Sequence, residues 1–344
     1  MWQSKEDENR KVQFTGGSTY IISLPKKWIF QNQLKKGSYI KLREEEGGLL
    51  TIVPPSWAVP KKQDQATIVV VPCIDRDVIL RKIVSAYLAG YNSIHIKTEK
   101  QPLSSQLRHE MKSFVRRMLV GTEIVTDTSS QLVLQVLWSF PELTIQSALR
   151  RMTIITVSMH KDAVLGLTAG NCSLAKEVVL ADNEVDRFNL YVTRLLRTSI
   201  LHPRIKREIG VVSSDECLAY RIVTKYVERI ADHAVNIAEN VLILKNCTNS
   251  DITRKIENLS LEAIKMFDTA MESLFRQDYN AAEKIIESII KIRELEKEAV
   301  ATSHFDAENG PTLRMIIESI KRTAEYACDI AEIVLNLTID TVIT

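Results

Sequence analysis

A thirteen-residue motif occurs twice in this 344-residue chain, 93 residues apart, and it restricts the fold more than any other feature. Residues 229–241 read Arg-Ile-Ala-Asp-His-Ala-Val-Asn-Ile-Ala-Glu-Asn-Val, and residues 322–334 read Arg-Thr-Ala-Glu-Tyr-Ala-Cys-Asp-Ile-Ala-Glu-Ile-Val, with seven identical positions. Self-similarity at a fixed offset marks tandem structural units. From Pro141 onward the apolar period is helical, and six helices fit, at about 141–166, 173–198, 213–245, 251–276, 280–303 and 310–341. The connectors carry Gly170, Pro203, Gly210 and Gly310-Pro311, and Asp251 is expected to cap the fourth helix. The repeat offset spans three helices, so residues 141–344 are expected to form two three-helix bundles, 141–248 and 251–344.

The preceding residues follow other periods. Residues 1–56 predict four short strands and one short helix, with a turn at Gly16-Gly17 and a second at Gly47-Gly48. So small a unit cannot bury an adequate core alone, so dimerisation is expected. Pro54-Pro55 and the stretch from Pro60 to Asp64 read as a linker. Residues 63–140 predict the order β-α-β-α-β-β, a small α/β domain without a phosphate loop or dinucleotide motif. Its role is not legible; His95 and His109 are expected to be surface or packing residues.

Charge is unevenly spread. Residues 1–62 carry 11 basic and 6 acidic side chains, against 34 and 37 in the remainder. A basic head on a slightly acidic body suits a head that meets a polyanion. No apolar run approaches the roughly 18 residues of a membrane span, so no membrane insertion is expected. The first eight residues are polar and acidic where a signal peptide would be basic then apolar, and the five dispersed cysteines suit reduced thiols; both point to the cytoplasm.

On the third C-terminal helix, Val223, Val227, Ile230, Ala234, Ile237 and Val241 fall in one stripe, which is core. Glu228, Asp232 and Glu239 fall nearly opposite, as a solvated face would. Yet Glu228 and Asp232 are like charges one turn apart, as are Asp182 and Asp186 on the second helix. Such pairs cost an isolated helix about 0.2–0.5 kcal/mol each. If the two faces adjoin, four carboxylates make a site for a hard or borderline cation.

The run from Glu228 and Arg229 through Asp232, His233 and Asn236 to Glu239 closely resembles the signature of the PhoU family of phosphate-uptake regulators, which also have two three-helix repeats. The resemblance covers about residues 141–344. It implies that Asp182, Asp186, Glu228 and Asp232 form a metal site of divalent ions or an iron cluster. It further implies partners among phosphate ABC transporter components or their signalling protein. The second repeat departs from the pattern: Lys321 stands where Glu228 does and Arg293 where Asp186 does, leaving Glu296, Glu325 and Asp329 as a lesser set. The head, from Arg10 through Gly16-Gly17 and Thr19–Leu24 to Pro25-Lys26-Lys27-Trp28, resembles AbrB/SpoVT-type swapped-hairpin domains. That likeness implies an intertwined homodimer and DNA contacts from Arg10, Lys11, Lys26 and Lys27. The combination looks like archaeal phosphate-uptake regulators.

The fold class expected is therefore multidomain: an AbrB-like swapped-hairpin β head, a small α/β middle and an all-α PhoU-like body. No hydrolase motif or Cys/His nucleophile pair is present in the sequence, so no enzyme is expected. His233, mid-helix, is expected to be a surface or inter-helix hydrogen-bonding group. The reading is a phosphate-responsive regulator with a DNA-binding head and metal-binding body. Its rivals are a regulator that docks a transporter while the head only dimerises it, and a metal-storing or oxidising carboxylate bundle.

Overall fold

The six segments of helical period are helices in a computed structural model of the chain, which describes residues 9–44, 48–55, 65–72, 74–98, 101–137, 143–201, 205, 208–211, 213–244, 250–303 and 308–343. The chain divides into two compact units, 1–63 and 64–344.

In the first unit β1 (Gln13–Thr15) pairs antiparallel with β2 (Thr19–Ile21), in the register Thr15 opposite Thr19. The tight reversal needs Gly16 and Gly17, whose φ values of 62° and 78° are costly for residues with a Cβ. Pro25 precedes α1 (Lys26–Gln31), and β3 (Lys41–Glu44) pairs antiparallel with β4 (Leu50–Val53). The expected Gly47 turn residue lies outside the described residues. Among the described residues from 9 to 55, none is a buried hydrophobic side chain. Phe14, Tyr20, Phe30, Tyr39, Leu42 and Leu50 are all more than half exposed.

The second unit begins with β5 (Gln65–Val70), α2 (Arg76–Leu88), β6 (Ser93–Thr98), α3 (Ser105–Met118), β7 (Thr122–Asp127) and β8 (Gln131–Val136). Asp75 and Ser104 cap the two helices by accepting from the Asp77 and Leu107 amides. The sheet order is β5-β6-β8-β7, with β5 parallel to β6 and the other pairs antiparallel. Alternation sends Ile68, Val70, Ile94, Ile96, Leu132 and Leu134 into a core shared with α2 and α3. His95 lies on the opposite sheet face, near Ser93 Oγ at 3.0 Å, and His109 is exposed.

The helices that follow are α4 (Ile145–Ala169), α5 (Cys172–Leu201), α6 (Ser214–Ile243), α7 (Ser250–Arg276), α8 (Tyr279–Ser303) and α9 (Gly310–Thr338). One continuous hydrophobic cluster runs through all six. Within the repeats α4, α5 and α6 pack on one another, as do α7, α8 and α9, and α6 packs on α9 across the repeats. Gly170, at φ 62°, ends α4, and Ser213 caps α6 through the Glu216 amide. Asp251 is not the cap expected of it: α7 already includes Ser250, and Asp251 pairs in the first turn with Arg254 at 3.0 Å.

Both α2 and α3 pack on α5, and one buried arginine adds polar ties between the α/β layer and that helix. Arg194 of α5 is 4% exposed, lies over the Tyr87 ring, and donates to the Tyr87 carbonyl, the Tyr91 carbonyl at 3.0 Å and Asn92 Oδ1 at 3.1 Å. A buried guanidinium persists only when its donors are satisfied, so the contact fixes this layer against α5.

Candidate functional site

Helical spacing and helix pairing together build the acidic patch. On α5, Val178, Val185, Phe188 and Val192 are buried, and Asp182 and Asp186 are left at the half-buried flank next to α6. On α6 the expected stripe of Val223, Val227, Ile230, Ala234, Ile237 and Val241 is all buried. Because α5 and α6 pack side by side, Glu228 and Asp232 face Asp182 and Asp186.

The convergence shows in the proton affinities. Burial, then the charges of Asp186, Asp232 and Glu228, push the Asp182 carboxyl up to about 7. Asp232 stands at the exposed rim, yet loss of water against its neighbours, followed by the Glu228 charge, raises it to about 6. Asp186 is raised by burial and then by Glu228, with Lys225 opposing. Asp182 Oδ1 is buried without a hydrogen-bond partner. Glu228 differs from the solvated residue its helical projection suggested. It is 9% exposed and held by Lys225 one turn earlier, at 2.6 Å to Oε1.

These residues suit a hard or borderline cation in donor type: all are carboxylate oxygens, one is an orphaned buried atom, and bound positive charge would relieve their repulsion. Among the described residues, no group of three or more His, Cys, Asp or Glu side chains is placed to hold a metal ion.

In the second repeat the lesser set is paired off. Lys321 bridges to Glu296 at 3.0 Å and Glu318 at 3.6 Å, and Arg322 bridges to Glu325 at 2.8 Å. Asp329 accepts from the Tyr226 hydroxyl, but burial and then Glu332 still raise its pKa. Arg293 is exposed. Glu325 also adds to the rise at Asp329, and Lys321 feels Glu325 as well as Glu296, so this acidic flank carries its own cations in Lys321 and Arg322.

Where the repeats meet, Tyr226 stacks on Tyr326 at 5.5 Å, and His233 lies 5.8 Å from the same ring. His233 is half-buried, with Nδ1 lacking a hydrogen-bond partner, and burial lowers its pKa. Inside the bundle, His160 contacts Ser260 Oγ at 3.3 Å and Thr323 Oγ1 at 3.2 Å; burial lowers it to about 4, so it is neutral. Its ring contacts are hydroxyls, where a di-metal bundle core would use carboxylates. Lys225 and His160 were both missed in the sequence. Lys225 had a detectable signal, its i,i+3 spacing to Glu228; His160 had none, since its partners lie 100 and 163 residues away.

On the head, Arg10, Lys11, Lys26 and Lys27 are all exposed, with the two lysines opening α1.

Residues 149–241 and 256–334 each match the model of the PhoU domain, together half of the chain. The chain belongs to the PhoU family. The two matches fall on the two repeats, and the four carboxylates lie within the first. Residues 13–64 match the model described as antidote-toxin recognition MazE, bacterial antitoxin, in keeping with the AbrB-like class of the head. The crystal structure of PhoU from Pseudomonas aeruginosa is similar at 19% identity and a TM-score of 0.49, over 57% of this chain and 96% of that one. That of the phosphate transport system regulatory protein PhoU from Streptococcus pneumoniae is similar at 16% identity and a TM-score of 0.48, over 58% and 96%. No curated protein matches the sequence. Among the described residues, no helix is long and apolar enough to cross a membrane.

Proposed function

We propose that this PhoU-family chain is a cytoplasmic, non-enzymatic regulator of phosphate uptake that works as a homodimer, with a DNA-binding head and a metal-binding body. The observation that carries the reading is the doubled PhoU match over a bundle whose first repeat holds four facing carboxylates. Asp182, Asp186, Glu228 and Asp232 would hold a divalent cation or iron cluster, whose charge would join α5 to α6. Phosphate ABC transporter components or their signalling protein are the partners this family membership supports.

For the head, dimerisation is supported by its exposed apolar side chains, which a second copy can cover. DNA binding is supported by the basic balance of residues 1–62 and by the exposed Arg10, Lys11, Lys26 and Lys27. Arg10, Lys26 and Lys27 from two copies would place six positive charges on phosphates. The logarithm of affinity should then fall with the logarithm of salt at a slope of roughly −5 at most. Mobility shift of the chain's own upstream DNA tests this, and Lys26→Ala with Lys27→Ala should flatten the slope while the dimer persists. Absent DNA binding, or binding unchanged in that variant, would overturn the DNA assignment. The head would then be only a dimeriser for a body that docks a transporter. Metal analysis of the purified chain tests the body: carboxylate variants should lose metal, and a metal-free wild type would refute the site.

A further inference from the structure

The two edges of the four-stranded sheet are treated differently. β7 carries Glu123 and Asp127, breaks its register between Ile124 and Thr126, and engages Asp127 with Arg108 at 2.9 Å and Lys112 at 2.6 Å. Charge and irregularity of this kind protect an edge from pairing. β5 has neither. Its sequence, Gln-Ala-Thr-Ile-Val-Val, carries no charge and no proline, it pairs with β6 in unbroken register, and among the described residues nothing pairs with its outer side.

A groove of about 590 Å³ runs along that edge, between residues 67–69 and one face of α2 formed by Val78, Arg81, Lys82 and Ser85. The helix spacing of three, four and seven residues sets these side chains in a row beside the strand. Arg81 and Lys82 are exposed, and among the described residues neither is in an ion pair, whereas Arg108 and Lys112 of α3 share an acid. An open strand edge flanked by a helix is a recurring seat for an extended peptide: main-chain hydrogen bonds supply affinity and alternate side chains supply specificity.

We propose that the β5 edge is a docking groove for an extended peptide segment with acidic side chains. The added strand would continue the sheet, and its alternate residues would meet Arg81 and Lys82. Charge decides against a second copy of the chain: pairing β5 with its own counterpart would bring the Arg81 and Lys82 of both copies together. This inference is independent of the metal and DNA assignments.

The test uses the full chain and a fluorescein-labelled peptide of alternating glutamate and valine, six residues long to match β5. Fluorescence anisotropy should show saturable binding that weakens with salt. Arg81→Glu with Lys82→Glu, both at exposed positions, should weaken binding by about tenfold or more and favour the matching lysine–valine peptide. N-methylation of alternate peptide amides, which removes strand hydrogen bonding without changing charge, should also cost about tenfold. Absence of saturable binding would overturn the proposal. So would binding insensitive to charge reversal, or equal binding of the N-methylated peptide, which would leave only diffuse charge attraction. A wild-type assembly larger than a dimer in sedimentation, dissociated by the glutamate–valine peptide, would make a second copy the occupant, and would overturn it too.

Discussion

In the first repeat Glu228 and Asp232 of α6 face Asp182 and Asp186 of α5, and three of the four are raised from the ordinary aspartate value. In the second, the position of Glu228 is Lys321, which pairs with Glu296, and the position of Asp232 is Glu325, which pairs with Arg322. The cores of the two units have not diverged in this way. Of the seven identical positions in the repeated motif, five are buried in both copies: Ala231, Ala234, Ile237, Ala238 and Val241 against Ala324, Ala327, Ile330, Ala331 and Val334. Repeat identity thus records packing, which tolerates little change in volume, while flank charges were free to separate into a repelling patch and a neutralised one.

The largest effect should come from Asp182→Asn. In chelator above about pH 7 it removes a half-buried, repelled charge, so the melting temperature should rise. In saturating divalent metal it removes a ligand, and the loss is on the order of 2.7 kcal/mol at a hundredfold excess over the dissociation constant. Thermal melts in the two conditions check the change of sign, and no change of sign would place the patch among ordinary solvated faces.

A pH series on the wild type in chelator comes next. Asp182 and Asp232 keep their protons to about 7 and about 6 in the folded chain, whereas an unfolded aspartate releases its proton near 3.9. Over that window the folded state binds more protons, so stability should fall as pH rises from about 4 to about 7. Metal competes with those protons, so saturating metal should reverse the trend between about 6 and 7. Melts as a function of pH, with and without metal, decide it.

Lys321→Glu should make the second repeat resemble the first. It breaks a partly buried ion pair and sets a new carboxylate beside Glu296 and Glu318, costing about 1 kcal/mol in chelator, part of which metal should restore. A loss that metal leaves unchanged would show that the second repeat lacks more than a charge. The smallest effect is expected from Glu325→Gln, a few tenths of a kcal/mol with little difference between chelator and metal, because Arg322 already offsets that carboxylate. A response as large as that of Asp182→Asn would erase the distinction between the repeats.

Most of the fold was legible from periodicity alone. All six C-terminal helices lie within about four residues of their expected bounds, and the β-α-β-α-β-β order is the one expected, because burial on one face imposes a period of 3.6 or 2 on the sequence itself. The undersized head was legible from its length, and its side chains are as exposed as that argument requires. The carboxylates were legible as like-charged pairs on single helices.

What the chain's order of residues determined, then, is the succession of strands and long helices and the apolar stripe of α6, since these depend on neighbours a turn or two away. Tertiary structure alone decided which faces meet. It buried Glu228 beside Lys225, orphaned Asp182 Oδ1, closed Arg194 onto the Tyr87 and Tyr91 carbonyls about a hundred residues away, and left β5 an open edge beside Arg81 and Lys82. Desolvation and charge convergence are properties of the space between elements, and no local period in a sequence encodes them.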